Sequence, residues 1–293
     1  MTAADLRRLF LLAALWGGSF IFIRIAVPVL GPVGVAAARV LIAGAALLLY
    51  AAATGARLEL RARWGQYLVI GVLNSAVPFV LIGAAEVHLS ASMAAILNAT
   101  SPLFGALLAA LFLGEPLTGR KTAGMVVAVA GVVVLVGWTP LAPGAGPLLG
   151  IAGSLLAAAF YGLAGVYTKA RVKDAPPLGM AVGSQLAAGL LLAPLLPFAP
   201  PAAVPSAAVL LCVLALALLS TALAYLLYFR LVVEVGPARA LTVTFLVPVF
   251  GVLWGALFLR EPLTLSKLLA CAVILGGTVL ATGAVGRQRE RRG

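Results

Sequence analysis

The sequence predicts an all-α integral membrane protein whose ten transmembrane helices form two inverted five-helix repeats around a central cavity. Three observations lead to this prediction. Of the 293 residues, 63% are hydrophobic and 10% are charged, whereas a soluble domain has about 25% charged residues. The chain divides into apolar stretches of about 18 to 24 residues, each long enough to cross a hydrocarbon core of roughly 30 Å as a helix. One phrase also occurs twice, which indicates an internal duplication.

Short breaks, most of them marked by glycine or proline, separate the apolar stretches. The predicted spans are residues 9–29, 33–53, 65–86, 91–113, 121–138, 148–169, 178–197, 207–230, 239–259 and 265–285. The connections are short and leave no room for a separate soluble domain. The first span follows Arg7 and Arg8 as a signal peptide would. It is longer than such a segment and nine similar stretches follow it, so we expect a retained helix.

The basic residues predict how the helices are oriented. If the N-terminus lies in the cytoplasm, sixteen lysines and arginines between spans fall on the cytoplasmic side and two, Arg260 and Lys267, fall outside. Cytoplasmic loops of membrane proteins carry such an excess of positive charge. We therefore predict a multi-pass protein of a bacterial-type inner membrane with both termini in the cytoplasm. The net charge of +12 does not predict a nucleic-acid partner, because the basic residues lie in patches between spans.

The repeated phrase reads LFLGEPLT at residues 111–118 and LFLREPLT at residues 257–264, an offset of 146 residues. Around it, thirteen of twenty-one aligned positions are identical between residues 101–121 and 247–267. The glutamate-proline pair in each copy also has a purely structural explanation, because proline cannot continue the preceding helix. The duplication, and not the glutamates alone, therefore indicates the class of protein.

A weaker echo at offset 145 pairs Trp16 with Tyr161, so we expect the duplication to cover both halves of the chain. The predicted units are residues 1–146 and residues 147–293, with a short basic tail on the second. Each unit holds five predicted helices, and an odd number makes the second unit enter the membrane from the opposite side. Inverted repeats of this kind are typical of transporters with a binding site near the midplane.

Together these features resemble the drug/metabolite transporter superfamily, specifically its EamA-type ten-helix exporters. The resemblance rests on Trp16 and Gly17 in the first helix, Pro102 and Pro248 in the fourth and ninth, and the glutamate-proline pairs at 115–116 and 261–262. It implies export of small metabolites, commonly amino acids or toxic amphiphiles, by alternating access of a central cavity. It also implies that the fifth and tenth helices stand outside that cavity. The expected partners are a small-molecule substrate and the lipid bilayer, and the oligomeric state stays open.

Polar and aromatic side chains within the spans are expected to face the cavity, because polar groups are costly in lipid. The predicted substrate-binding residues are Trp16, Ser19, Phe20, Arg39, Asn74, Ser75, Phe79, Asn98, Ser101, Tyr161, Gln185, Thr221, Tyr225, Thr244 and Trp254. Amides, hydroxyls and aromatic rings together would suit a zwitterionic substrate with a variable side chain. For the serines and threonines, the alternative is a hydrogen bond to their own backbone or to a neighbouring helix. Arg39 could hold a substrate carboxylate or could extend to the lipid head groups.

Three prolines within spans, Pro78, Pro102 and Pro248, are predicted hinges of a gating motion, since proline removes a backbone hydrogen bond and can bend a helix. A fixed kink required by packing is the alternative. All eight acidic residues are expected at span ends or outside spans, with Glu86 and His88 at a solvated boundary. Without a buried carboxylate to bind a proton or sodium ion, the pattern favours a uniporter or facilitator.

The sequence offers little for catalysis. Cys212 and Cys271 lie in apolar spans, there is one histidine, and neither a zinc-binding HExxH pair nor a phosphate-binding glycine loop occurs. We therefore expect no enzyme activity, no cofactor and no metal site. Other functions stay open, namely a drug or amphiphile transporter and a non-transporting membrane scaffold or receptor. A nucleotide-sugar-type transporter is a further alternative, but it would need several cations in the cavity.

Overall fold

The computed structural model describes residues 1–139, 143–172 and 174–282, with the backbone alone at positions 237 and 238. Within these ranges the chain is helical and contains no β-strand. The helices are α1 (residues 3–30), α2 (residues 32–54), α3 (Trp64–His88), α4 (Ala91–Leu113), α5 (Gly119–Trp138), α6 (Gly146–Arg171), α7 (Pro177–Phe198), α8 (Ala207–Val235), α9 (Val243–Leu259) and α10 (Leu265–Thr282). Over this part of the chain, the predicted all-α membrane fold is confirmed.

The first two helices form one rod, Ala3–Thr54, which bends at Gly31. Gly31 has φ 68° and ψ 165°, a backbone conformation that glycine adopts far more readily than other residues. Pro32 follows at once and suits the first turn of a new helix. The rod has 52 residues, about 78 Å at 1.5 Å per residue, which is more than twice a hydrocarbon core of roughly 30 Å. It therefore supplies two crossings.

The ninth crossing is shorter than predicted. α9 has 17 residues, and a short helical turn, Pro237–Ala240, precedes it. The chain turns at 241–242, inside the predicted span 239–259. Seventeen residues of helix still cover about 25 Å, enough to cross most of a bilayer core. The end of the tenth predicted span, residues 283–285, lies outside the described residues.

Contacts between the helix ends define two membrane faces. At the near face, which carries the N-terminus, Gln66 Nε2 donates a hydrogen bond to Arg171 O at 2.9 Å. At the far face, Ala202 N donates to Val29 O at 2.8 Å. Successive helices run alternately from one face to the other, so both halves of the chain contribute to each face.

α5 and α10 pack against each other, and glycines on both helices allow the close approach. A Cβ added to Gly131 would lie 2.7 Å from Ile274 Cγ1, and one added to Gly277 would lie 2.5 Å from Ala128 N. α5 has its main helix contact with α10, whereas α10 also touches α4 and α9. The pair therefore stands at the edge of the bundle, as expected for packing elements.

The two halves contact each other through equivalent residues. A Cβ added to Gly17 in α1 would lie 2.7 Å from Phe250 Cβ in α9. A Cβ added to Gly162 in α6 would lie 2.6 Å from Gly105 N in α4. Gly17 and Gly162 are 145 residues apart, and Gly105 and Gly251 are 146 apart. Each half thus presents the same small-residue surface to the other, which supports the predicted duplication, while the boundary at residue 146 stays a prediction.

Each half also contains a π-helical segment at the same place. The segments are Val72–Ala76 in α3 and Leu218–Leu223 in α8, and their first residues are 146 positions apart. A π-helical turn holds one extra residue, which interrupts the α-helical hydrogen-bond ladder and often occurs at functional sites. Both segments carry polar side chains within otherwise apolar helices.

Candidate functional site

Arg39 in α2 is a buried cation at the centre of the candidate site. It is 7% exposed, and its Nε donates a hydrogen bond to Thr221 Oγ1 in α8 at 2.9 Å. Its guanidinium carbon lies 3.6 Å from the centroid of the Phe79 ring in α3, a favourable position for a cation. No carboxylate of the described residues forms an ion pair with it. The guanidinium thus turns into the bundle, not toward the head groups, and lacks a protein counterion.

Gln185 in α7 repeats this arrangement in the other half. Its Nε2 donates to Ser75 Oγ in α3 at 2.9 Å. Gln185 lies 146 residues after Arg39, and Thr221 lies 146 residues after Ser75, so each half donates from its second helix to the π-helical segment of the other. Gln185 is fully buried, and its Oε1 has no hydrogen-bond partner among the residues described. One half therefore contributes a cation and the other a neutral amide with a free acceptor.

Further hydroxyls and rings complete the group. Asn74 Nδ2 donates to Tyr225 Oη at 3.1 Å, and Tyr161 in α6 packs against the hydrophobic cluster that contains Phe79. The central polar cluster is defined as Arg39, Asn74, Ser75, Phe79, Tyr161, Gln185, Thr221 and Tyr225. All eight were predicted from the sequence as substrate-binding residues, and the fold brings them together from five helices.

The π-helical segments explain why polar groups from α3 and α8 converge. Ser75 and Thr221 both lie in these segments. Thr221 donates its hydroxyl proton to Leu216 O at 2.9 Å, five residues earlier in α8. Because the donor of the hydroxyl is used in this way, its oxygen is oriented to accept from Arg39. The extra residue in the helix thus supplies the acceptor that holds the guanidinium.

The other predicted substrate-binding residues do not hydrogen-bond to the central polar cluster. Ser19, Ser101 and Thr244 donate to backbone oxygens three residues earlier, at 2.6, 2.6 and 2.8 Å. These three hydroxyls therefore hydrogen-bond to nearby backbone of their own chain segment, which was the alternative expected for them. Asn98 lies at the turn inside α4 and its backbone oxygen accepts the Ser101 bond.

The aromatic members of that prediction pack between helices. Phe20 is buried in the hydrophobic core, and the Trp16 ring lies 5.6 Å from the Tyr228 ring. Trp254 Nε1 donates to Ala14 O at 3.0 Å, which joins α9 to α1. These residues link the two halves beside the cluster.

The three predicted hinge prolines occupy different positions. Pro78 follows the π-helical segment of α3, and Pro102 follows the turn at residues 99–100 that divides α4. Pro248 lies within α9, which continues unbroken around it. Two of the three therefore stand beside local irregularities, and their role as hinges stays a prediction.

Glu86 corrects one expectation. The prediction that no carboxylate is buried within a span is wrong, because Glu86 lies within α3 and is 0% exposed. Helix α3 continues to His88, and Gly150 of α6 approaches its last turn so closely that an added Cβ would lie 3.1 Å from Ala85 O. Arg24 of α1 donates to the backbone oxygens of Glu86 and Val87. Neighbouring helices thus cover a carboxylate that the sequence places near the end of its span.

The far face is closed by Glu261, which follows α9. Its carboxylate accepts from Ala91 N at 2.8 Å and Ser92 N at 3.1 Å and also from the Ser92 hydroxyl, which caps the first turn of α4. Lys267 Nζ lies 3.8 Å from the same carboxylate, and the Lys267 side chain is 5% exposed. We call this contact between Glu261, Ala91 and Ser92 the far seal.

A cavity of about 320 Å³ lies beside the far seal, large enough for many water molecules. Its lining consists of Arg24, His88, Leu89, Ser90, Leu259 and Glu261. Four of these six residues are polar, and His88 and Leu89 follow Glu86 by two and three residues. Water at the far face therefore reaches close to the buried carboxylate.

At the near face, Glu115 is the repeat equivalent of Glu261. It contacts Lys169 Nζ and, at 3.4 Å, Lys121 Nζ. The hydrogen bond from Lys169 holds the pKa of the Glu115 carboxyl below its usual value, and Lys121 adds to the effect. The Glu115 side chain is 32% exposed, so this contact is more accessible to solvent than the far seal.

Helices α4 and α9 separate toward the near face. In the far half they touch, since a Cβ added to Gly251 would lie 2.5 Å from Ala95 Cβ. In the near half, Ser101–Leu113, α4 packs instead on α6 and α10. The far half of α4 therefore touches α9, whereas its near half packs on other helices.

Comparisons with known proteins agree with this architecture. A sequence model described as the EamA-like transporter family matches residues 8–137 and again residues 148–283. A solved crystal structure has the same fold, with a TM-score of 0.68, 22% identity, and coverage of 96% of this chain and 97% of that one.

Named relatives fall into two groups. An uncharacterized inner membrane transporter of Escherichia coli, YedA, is 31% identical over 279 residues, 94% of this chain and 89% of that protein. An uncharacterized transporter of Archaeoglobus fulgidus is 26% identical over 265 residues, 89% of this chain and 92% of that protein. A probable terminal-alkyne amino-acid exporter of Streptantibioticus cattleyicolor is 33% identical, but the match spans only 115 residues, 39% of each chain.

Proposed function

Because this chain belongs to the EamA-like transporter family, we propose that it exports small metabolites that carry a carboxylate, in particular amino acids, by alternating access around the central polar cluster. The family is one of membrane transporters, and the substrate, the direction of transport and alternating access are proposed. The observation that carries the proposal is the buried Arg39 guanidinium without a counterion.

The charge on Arg39 favours an anionic ligand. Removing a cation from water costs several kcal/mol, and a buried partner of opposite charge offsets that cost. Thr221 occupies Nε and the Phe79 ring covers one face, which leaves the two terminal nitrogens as donors. A guanidinium binds carboxylates through such paired donors. A substrate carboxylate would therefore supply the missing counterion.

The amide of Gln185 favours a second polar group on the substrate. Its Oε1 is a buried acceptor without a partner in the described chain, and such a group costs free energy until it is paired. A substrate ammonium could donate to it while the carboxylate binds Arg39. A relative in Streptantibioticus cattleyicolor is named a probable terminal-alkyne amino-acid exporter, which supports the same class over a short match.

Orientation and conformation suit loading from the cytoplasm. The excess of lysine and arginine at the near face supports a cytoplasmic position for that face by the positive-inside rule. The near half of α4 packs on α6 and α10 and not mainly on α9, which supports a conformation that admits substrate from that side. The preference for a facilitator rested on the absence of a buried carboxylate, and Glu86 removes that argument. The proposal therefore does not include uniport.

The test is uptake into proteoliposomes from a panel of labelled amino acids, each paired with the amine that lacks its carboxylate. We expect saturable uptake of some amino acids and no uptake of the paired amines. Arg39→Gln should lower the initial rate at low substrate by about 10- to 100-fold, because a charged hydrogen bond is worth roughly 1.5–3 kcal/mol.

The matched control is Arg57→Gln, which removes an exposed near-face arginine and should leave uptake unchanged. Equal uptake of an amino acid and its decarboxylated amine, or an Arg39→Gln protein that folds and transports like the wild type, would contradict the proposal. Uptake restricted to amphiphilic cations would favour the drug-transporter alternative.

A further inference from the structure

Glu86 is a buried acid that the proposed substrate chemistry does not use. It is 0% exposed, and neither carboxyl oxygen has a hydrogen-bond partner among the described residues. An ionised carboxylate in such surroundings is so costly that the group takes up a proton instead. The neutral carboxyl is the form that fits this place.

The charges around Glu86 do not provide a direct partner. Arg24 of α1 and Arg39 of α2 attract a negative charge at Glu86, whereas Glu261 repels one. Within the described chain none of the cations forms an ion pair with its carboxylate. His88 lies on the same helix and faces the far cavity. α6, which covers this turn, approaches with glycines, so it brings no titratable side chain against the carboxyl.

Glu86 lies within electrostatic reach of Glu261 in the far seal and is itself 0% exposed. Arg24, which holds the backbone oxygen of Glu86, also lines the far cavity together with Glu261. If Glu261 leaves the first turn of α4, the cavity extends toward the last turn of α3. Water would then solvate Glu86 and lower the free-energy cost of its ionised form.

We propose that Glu86 is a proton-binding site linked to the far seal. When the seal closes, a carboxylate oxygen of Glu86 takes a proton from hydronium in the far cavity, which leaves water and a neutral carboxyl. When the seal opens, the proton returns to that water and the charge reappears. Acid at the far face therefore stabilises the closed seal, and alkali favours the open one.

The test measures hydrogen–deuterium exchange of the backbone amides at residues 91–94, using the full chain in lipid nanodiscs without substrate. In the wild type, exchange corrected for its intrinsic pH dependence should accelerate as pH rises, by up to about tenfold per pH unit for one linked proton. Glu86→Gln should keep these amides protected as pH rises, because an amide stands in for the protonated acid. Protonation of Glu261 in acid would loosen the seal, so its effect has the opposite sign.

Two controls separate Glu86 from other groups. His88→Gln and Glu59→Gln, the latter at an exposed near-face position, should both retain the wild-type pH response. If Glu86→Gln does not fold, Glu86→Asp keeps a carboxyl and should keep a response with a shifted midpoint. Any one of four results would overturn the proposal. Exchange at residues 91–94 of the wild type could be independent of pH, or its pH response could persist in Glu86→Gln. The pH response could also be lost in His88→Gln, or be absent from a folded Glu86→Asp. Because the measurement needs no substrate, its result is independent of whether amino acids are transported.

Discussion

Thr221 in the π-helical segment of α8 holds the guanidinium of Arg39 through one hydrogen bond. Arg39 has no second hydrogen-bond partner within the described chain, so this bond sets where the charge sits. Thr221→Val keeps the shape of the side chain and removes the acceptor. We expect the KM for a transported amino acid to rise by about tenfold, since a hydrogen bond to a charged group is worth roughly 1.5 kcal/mol or more.

The comparison variant for this measurement is Thr168→Val. Thr168 donates to Ala164 O of its own helix at 2.7 Å and lies near the end of α6. Its loss should leave KM unchanged. Equal KM values for Thr221→Val and the wild type would show that the hydroxyl does not position Arg39.

Glu115 gives a prediction about pH. Its pKa is lowered in the folded protein, chiefly by the hydrogen bond from Lys169. The stabilisation from this contact is therefore fully present above the usual carboxyl pKa and is lost as pH falls through the lower folded value. In detergent, the wild type should have a slightly higher Tm than Glu115→Gln at neutral pH, and the gap should close in acid. A gap that stays constant down to strongly acidic pH would count against the contact, whose contribution is limited by its exposure.

For single residues, the sequence predicts which side chains belong to the site better than it predicts which residues they bind. Arg39, Gln185, Ser75 and Thr221 were all expected in the site, because polar groups inside spans are rare and need a reason. Their pairing was not expected, although the 146-residue offset already relates Arg39 to Gln185 and Ser75 to Thr221. Glu86 was misplaced because a position near a span end says nothing about the helices that cover it.

Among the helices, the seam between α5 and α10 depends on single glycines. A Cβ added to Gly277 would lie 2.5 Å from Ala128 N and 2.6 Å from Gly124 O, whereas one added to Gly276 meets nothing within 4 Å. Gly277→Ala should therefore lower the Tm by several degrees. Gly276→Ala, at the adjacent position, should be neutral or slightly stabilising, because alanine favours a helix by about 1 kcal/mol over glycine. Equal Tm values for the two variants would contradict the close packing of this seam.

The elements also show where hydropathy patterns stop being informative. Apolar length predicts the crossings, and Gly31-Pro32 predicts the bend between α1 and α2. The π-helical segments in α3 and α8 were not predicted, because one extra residue in a uniformly apolar helix barely changes its hydropathy. The turn before α9 was missed for the same reason.

The whole molecule should tolerate an exchange between its halves. Arg39 and Gln185 occupy equivalent positions, and each donates to the hydroxyl of the opposite π-helical segment. The double variant Arg39→Gln, Gln185→Arg would move the cation to the other half, where Ser75 can accept its hydrogen bond. We expect this variant to recover uptake to within about tenfold of the wild type, since one charged contact of roughly 1.5–3 kcal/mol is restored.

The single variant Arg39→Gln is the reference for that experiment, and both proteins should be monodisperse before rates are compared. A folded double variant that is as inactive as the single one would show that the two positions are not interchangeable. The inverted duplication would then describe the backbone but not the chemistry of the site.

The pairing of α5 with α10 has a consequence for how the chain is made. α5 is synthesised in the first half, yet its main partner is α10. During translation α5 therefore enters the lipid before α10 has been made, with its glycine face uncovered. The first half made alone would leave that face exposed to lipid. Insertion of α10 is thus the step that covers it.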